Sequence, residues 1–117
     1  MSVAGPVDAA PTRISEHQIR ELTDRIAAEF RPDRIILFGS HASGAATEYS
    51  DVDLFVIMPF EGRALRASLE IANRLKPTFP VDILARRPDD TARRYALGDP
   101  LVRDVLDNGI VLYERDR

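Results

Sequence analysis

Two aspartates, Asp51 and Asp53, stand one residue apart at the start of a predicted strand. Side chains alternate along a strand, so residues i and i+2 project from the same face and these two carboxylates should lie side by side. Carboxylates this close repel each other unless a cation lies between them. Because Val52 and Leu54 point the other way, into the core, the strand would present two oxygen ligands to a divalent ion. The pair is also compatible with a turn residue followed by an exposed aspartate at the sheet edge.

Three further residues gather around this pair in the predicted fold. Gly39 and Ser40 directly follow an apolar strand, and an antiparallel pairing of that strand with the next would bring both residues beside the aspartates. Glycine lets backbone N–H groups approach a phosphate closely, and the serine hydroxyl adds a donor. Asp82 begins a third strand, and a parallel crossover would place it near Asp53. The glycine–serine pair is also compatible with an ordinary turn, and Asp82 with an edge-strand residue that faces water.

Three carboxylates on neighbouring strands beside a phosphate-binding turn are typical of two-metal phosphoryl transfer. One ion would bridge the triphosphate oxygens. The second would lower the pKa of an attacking hydroxyl and be shared with Asp82, which can also accept the proton. Attack on the α-phosphate would release pyrophosphate. The chain has no cysteine and two histidines, so the metal should be a hard cation held by oxygen.

Helical and strand patterns alternate along the chain and predict an α/β (α+β) fold, a small mixed sheet with flanking helices. A capping box from Ser15 to Gln18 opens the first helix, and Pro32 ends it. The predicted strands are 34–38, 52–58, 81–84 and 110–113. The other predicted elements are helices over about 63–76 and 100–108, a short helix within 88–97, and a loop over 39–50 with room for one helical turn.

The apolar positions of the later helices predict which sides pack against the sheet. In the helix over 63–76, the residues that should share one side are Leu65, Leu69, Ala72 and Leu75. In the last helix, which Asp99 caps, Leu101, Val105 and Leu106 should face inward.

Length and charge limit the classes of protein that fit. The 117 residues suit one domain, which we assign to residues 14–117, preceded by a disordered tail of small residues over 1–13. A formal charge of −3 argues against a protein that grips a long nucleic acid. No stretch is apolar enough to span a membrane and no signal peptide is evident, so we expect a cytoplasmic protein.

The combined pattern resembles the DNA polymerase beta-like nucleotidyltransferases, and within them the minimal nucleotidyltransferases. Two segments carry the resemblance: Ile36-Leu-Phe-Gly-Ser-His-Ala-Ser-Gly44 and Tyr49-Ser-Asp-Val-Asp-Leu-Phe-Val-Ile57. They contain the family's glycine–serine pair, ten intervening residues and D-x-D, and the last stretch, residues 99–114, also looks like the usual ending of this branch.

The resemblance implies specific roles for six residues. Asp51, Asp53 and Asp82 would be catalytic and would bind two Mg²⁺ ions when a nucleotide is present. The residues that would bind the nucleotide, with ATP as substrate, are Gly39, Ser40 and Ser50. One departure concerns the phosphate loop, where members of this branch often carry arginine and this chain has His41 and Ser43. A serine cannot replace the bidentate phosphate grip of arginine, whereas His41 could still donate to a phosphate.

The resemblance also implies a biological role. Minimal nucleotidyltransferases are often paired with a small helical HEPN protein, a ribonuclease toxin, and act as the antitoxin. We expect this chain to bind such a partner, in a possible hetero-oligomer, and to transfer AMP from ATP to a tyrosine hydroxyl of it. The chain is too short to hold a template, a tRNA or an antibiotic by itself. The alternatives are an antitoxin that acts by binding alone and a nucleotidyltransferase for a small hydroxylated acceptor.

Overall fold

The computed structural model describes residues 13–116, so the predicted disordered tail lies outside the described residues except for Arg13. In chain order the elements are α1 (Glu16–Phe30), β1 (Arg34–Phe38), α2 (Ser40–Ser43), β2 (Val52–Ile57), α3 (Ala64–Leu75), β3 (Val81–Arg86), α4 (Pro88–Ala96), α5 (Pro100–Asn108) and β4 (Ile110–Glu114). Over this range, no helix combines the length and the apolar character needed to cross a bilayer.

The four strands form one mixed sheet in the order β3-β2-β1-β4. β1 pairs antiparallel with both β2 and β4, whereas β2 and β3 run parallel. The parallel pair is joined by α3, because parallel strands need a crossover connection. The predicted class, a small mixed sheet with flanking helices, is therefore confirmed, as are the directions of the first three strands.

The start of α1 follows directly from its first residues. Ser15 Oγ accepts a hydrogen bond from the backbone N–H of Gln18 at 3.1 Å, and Gln18 Oε1 accepts one from the N–H of Ser15 at 2.8 Å. This capping box satisfies donors that a helix end otherwise leaves without a partner. At the other end the chain turns through Arg31, whose φ is 47°, into Pro32.

The sheet separates two apolar clusters. On one face, α1 and α3 pack against alternate residues of β1, β2 and β3, including Ile35, Leu54 and Ile83. On the other face, α5 packs Val102 and Val105 against Ile36, Phe55 and Ile57. The alternation of strand side chains thus gives β1 and β2 a buried surface on both sides.

The side of α3 that packs on the sheet differs from the predicted one. The predicted apolar side contained Leu65, Leu69, Ala72 and Leu75, but Leu65 is 69% and Leu69 52% exposed. The residues that α3 buries are Ala67, Ser68, Ile71 and Leu75. Small side chains at 67 and 68 let the helix approach β3 closely, and Ser68 bonds to the strand backbone, so shape and hydrogen bonding decide the rotation of the helix rather than its leucines.

A smaller correction applies to the residues of α5 that face inward. Leu101, which was predicted to face inward, is 39% exposed, and Val102 is buried in its place. Val105 is buried and Leu106 is partly buried, as predicted.

The helix α4 has few apolar residues, but Pro88 occupies its first turn and Asp90 pairs with Arg93 and Arg94. Ion pairs three and four residues apart stabilise such a polar helix.

Candidate active site

β2 carries Asp53 on the face that packs against α5, at the start of the strand and two residues before the buried Phe55. Val52 and Leu54 have no exposed surface and pack under α1 and α3, so the residue between them must project to the other side of the sheet. Asp53 is half-buried there, and Asp51, just before the strand, is exposed. The two aspartates are thus held at the start of a strand whose neighbours anchor it in the core.

Asp82 reaches Asp53 through the parallel pairing of β2 and β3. The two residues are direct partners in the strand register, so their side chains project from the same face of neighbouring strands. Asp82 lies on the edge strand and is exposed. The sequence-based prediction that the third acid comes to the same end of the sheet agrees with this register.

Burial and the neighbouring charged side chains change the pKa of Asp53. Burial raises the pKa of the Asp53 carboxyl above its ordinary value, and the negative charges of Asp82 and Asp51 raise it further. His41 acts in the opposite direction and lowers this pKa. All three acids are therefore close enough to interact, and the ionised form of Asp53 is disfavoured where it stands.

Gly39 lies against Asp53 because the antiparallel pairing sets Phe38, the last residue of β1, opposite it. Gly39 has a φ of 76°, which favours glycine, and a Cβ at this position would collide with Asp53 Oδ2. Both the backbone conformation and the close contact therefore require glycine. The short helix α2 begins at the next residue, Ser40, and the first N–H groups of any helix lack partners within it. An anion is a suitable partner for such groups.

The loop between α2 and β2 places Ser50 in a structural role that the sequence did not indicate. Its Oγ accepts a hydrogen bond from the N–H of Thr47 at 2.9 Å. Its carbonyl lies 3.2 Å from His41 Nε2, and since a carbonyl only accepts, this ring nitrogen carries the hydrogen. His41 therefore ties α2 to the residue before Asp51, a contact between residues nine positions apart that no local pattern predicts. The nucleotide-binding role of Ser50 stays a prediction.

Ser43, at the position where the family resemblance leads one to expect an arginine, turns back toward its own helix. Its Oγ donates to the carbonyl of Ser40 at 3.3 Å. This side chain stabilises the end of α2 and supplies no positive charge to the loop.

The acids of the site suit a hard divalent cation. Mg²⁺ is usually held by one or two carboxylates together with substrate phosphates and water, rather than by a cage made only of protein. Within residues 13–116, no group of three or more His, Cys, Asp or Glu side chains is arranged so that it could hold a metal by itself. The oxygen donors of Asp51 and Asp53 fit Mg²⁺, and the repulsion at Asp53 is of the kind that a cation relieves.

Acidic side chains on two adjacent strands, opposite a glycine–serine turn, define an α/β domain of the phosphoryl-transfer class. Residues 19–112 match the family model of the nucleotidyltransferase domain, and the chain belongs to this family. The match includes every residue of the site described above. No curated protein matches the chain.

Solved structures show the same fold at low sequence identity. A candidate nucleotidyltransferase from Sulfolobus solfataricus superposes with a TM-score of 0.61 and 17% identity, covering 85% of this chain and 79% of the other. A toxin–antitoxin structure with AMP-PNP gives a TM-score of 0.50 and 19% identity, with 88% and 76% covered. A mutant of the toxin–antitoxin MntA–HpeT gives a TM-score of 0.50 and 17% identity, with 88% and 75% covered.

Proposed function

We propose that this nucleotidyltransferase domain is an antitoxin that transfers AMP from ATP, with Mg²⁺, to a tyrosine hydroxyl of a HEPN-type toxin. The single observation that carries the proposal is the register of the sheet. Asp53 is the strand partner of both Asp82 and Phe38, the residue that precedes Gly39 and Ser40. Carboxylates and phosphate-binding N–H groups therefore meet at one end of β2, as a nucleoside triphosphate with its cation requires.

The proposed reaction is a direct transfer of AMP to the tyrosine hydroxyl, assisted by side chains and backbone groups of this chain. The tyrosine oxygen forms a bond to the α-phosphorus of ATP, the bond from that phosphorus to the α,β-bridging oxygen breaks, and pyrophosphate leaves. The proton of the tyrosine hydroxyl passes to the carboxylate of Asp82, which acts as general base. Gly39 and Ser40 hold the phosphates through N–H and hydroxyl donors. Bound to Asp51 and Asp53, Mg²⁺ would offset the charge of the phosphate oxygens.

Two features of similar structures support a toxin partner. Two of the solved structures with this fold are toxin–antitoxin complexes, and one of them holds AMP-PNP, an analogue of ATP. The MntA–HpeT structure also carries glutamate in place of two aspartates separated by one residue, the spacing of Asp51 and Asp53.

The test mixes this chain with a purified HEPN-type protein of the same organism, α-labelled ATP and Mg²⁺. We expect label on a tyrosine of the partner. Replacing both ligands (Asp51→Asn/Asp53→Asn) should lower the rate at least about 100-fold, the scale of losing preorganised electrostatic stabilisation. The control Asp24→Asn removes an exposed carboxylate of α1, and it should leave the rate unchanged. Equal labelling by wild type and the double variant would contradict the mechanism.

A second candidate is an antitoxin that acts by contact alone. The observation that favours it is Ser43, which turns toward the Ser40 carbonyl and leaves the phosphate loop without an arginine. Neutralisation of the toxin in cells separates the two candidates. If the antitoxin acts by binding alone, the Asp51→Asn/Asp53→Asn variant should protect cells as well as the wild type does. If it acts as the proposed enzyme, the variant should lose most of this protection.

A further inference from the structure

The outer side of α3 exposes two leucines that do not pack in the core. Leu65 and Leu69 are four residues apart, so they are neighbours on one side of the helix, and they are 69% and 52% exposed. The buried side of α3 packs through other residues, Ala67, Ser68 and Ile71. Adjacent exposed leucines are more informative than scattered ones, because contiguous apolar surface marks binding sites.

These leucines line a groove that shares Asp82 with the candidate active site. The groove, of about 540 Å³, runs between α3 and the outer edge of β3, and Asp82 is among its lining residues. β3 is an edge strand of the sheet formed by the described residues, and Ser68 bonds to the N–H of Ala85 at 2.9 Å toward one end of it.

The segment that contains α3 has a charge opposite to that of the whole molecule, although the charged residues that line the groove itself are Asp82, Arg86, Asp90 and Arg94. Arg63 and Arg66 lie beside Leu65 and Leu69 in an adjoining depression. Residues 63–76 contain four basic residues (Arg63, Arg66, Arg74 and Lys76) and one acidic residue, Glu70, a net charge of +3 in a chain whose formal charge is −3. Arg74 is paired with Glu29 at 2.7 Å. Surfaces of opposite charge steer and orient association, so this side of α3 favours an acidic partner.

We propose that the groove between α3 and β3 is the docking site for the segment of the partner protein that carries the acceptor hydroxyl. The occupant is an extended stretch with apolar side chains against Leu65 and Leu69 and with acidic side chains toward Arg63 and Arg66. Its hydroxyl would then reach Asp82 at the inner end of the groove. This inference rests on the proposed function, since it assigns the place where that acceptor enters. A basic surface with leucines also suits an anionic membrane, but the continuity with Asp82 favours a polypeptide.

Binding measurements test the surface independently of catalysis. The dissociation constant of the purified HEPN-type partner is measured for wild type, for Leu65→Ser/Leu69→Ser, and for Leu97→Ser, which changes a leucine that is 73% exposed outside the groove. We expect the double variant to bind at least about 10-fold more weakly, as loss of central apolar contacts does, and Leu97→Ser to bind as wild type. Affinity of Mg·AMP-PNP should be the same for all three proteins.

The outcomes separate this inference from the proposed function. If wild type binds the partner but transfers no label, the proposed function is contradicted. The measured affinities then still test whether the groove is the docking site. Equal affinity of wild type and the double variant would overturn the docking site and leave the proposed function standing. Loss of binding to anionic phosphatidylserine vesicles, with partner affinity unchanged, would likewise overturn it in favour of a membrane surface.

Cross-linking locates the bound segment directly. The chain has no cysteine, so Leu65→Cys provides a unique attachment point for a photoreactive maleimide, and Leu97→Cys is the matched control. We expect cross-links from position 65 to a partner peptide that contains, or directly adjoins, the labelled tyrosine. Cross-links from both positions to the same peptides, or from position 65 to none, would contradict the proposed docking.

Discussion

In its proposed role, Asp53 would serve chemistry at the expense of stability. Burial, Asp82 and Asp51 raise its pKa, which means that the folded protein holds this proton more tightly than the unfolded chain does. Such a group stabilises the fold at low pH, and this contribution is lost as the pH rises through the folded-state pKa. At neutral pH the ionised Asp53 therefore destabilises the metal-free protein.

Replacing this carboxyl should stabilise the metal-free protein at high pH. In EDTA we expect Asp53→Asn to raise the melting temperature by about 2–4 °C at about pH 8, a modest value because solvent screens a partly exposed group. The difference should shrink as the pH is lowered through the folded-state pKa, where the aspartate takes up its proton. Thermal unfolding followed by circular dichroism measures both values. A lower melting temperature of the variant at the higher pH would contradict the electrostatic argument, and Asp24→Asn serves as the control.

At the residue scale, spacing alone predicts much of the site. The D-x-D pair, the glycine–serine turn and Asp82 could be placed together from strand alternation and from two strand directions. The contact of His41 with the Ser50 carbonyl could not, because it depends on the path of the loop over 44–51. Loop paths follow from many weak side-chain and backbone contacts, and sequence periodicity carries no information about them.

Ser68 joins α3 to the sheet by two hydrogen bonds. Its Oγ donates to the carbonyl of Ala64 at 2.8 Å and accepts from the N–H of Ala85 at 2.9 Å, and the residue is only 7% exposed. The N–H of Ala85 belongs to an edge strand and has no strand neighbour on that side. The hydroxyl thus supplies the acceptor that a fifth strand would otherwise supply.

Removing this acceptor should destabilise the fold. Ser68→Ala leaves the N–H of Ala85 buried without a partner, which costs about 1–3 kcal/mol. We expect a lower urea midpoint with an unchanged slope, measured by equilibrium unfolding. Ser43→Ala, which removes an exposed hydroxyl, should change the midpoint little. Equal midpoints for wild type and Ser68→Ala would show that water or a backbone shift replaces the bond.

At the element scale, helix starts and strand directions were predictable, whereas the rotation of α3 was not. The capping residues of α1 and α5 determine where those helices begin. The large apolar residues of α3 misled the prediction of its packed side, because the close approach to β3 selects Ala67 and Ser68. A periodic pattern identifies an apolar side, but it cannot tell a side that packs in the core from one that meets a partner.

The whole molecule is acidic, with a formal charge of −3, and three of its acidic residues are neighbours in the candidate site. A triphosphate is itself strongly anionic, so the protein should bind ATP poorly unless a cation accompanies it. The proposed dependence on a divalent ion would therefore follow from the overall charge as well as from the individual ligands.

This dependence predicts how nucleotide changes stability. A ligand that binds only the folded state stabilises it by about 2.7 kcal/mol at 100 times its dissociation constant. We expect Mg·AMP-PNP to raise the melting temperature of wild type by several degrees, and AMP-PNP with EDTA to raise it little. Asp51→Asn/Asp53→Asn should lose the Mg-dependent shift. An equal shift in wild type and this variant would show that the nucleotide binds elsewhere; differential scanning fluorimetry measures all of these shifts.

The two margins of the sheet differ in a way that limits self-association. At the β4 margin, Arg20 Nη1 donates to the carbonyl of Leu112 at 2.8 Å, and the register of β4 with β1 shifts between Ile35 and Ile36. A bonded carbonyl and an irregular register obstruct the addition of another strand there. A fibril grows only when each subunit offers both margins. At the β3 margin the Ser68 hydroxyl already occupies the N–H of Ala85, so among the described residues neither margin offers a regular ladder to another copy, and growth by strand addition is disfavoured at both.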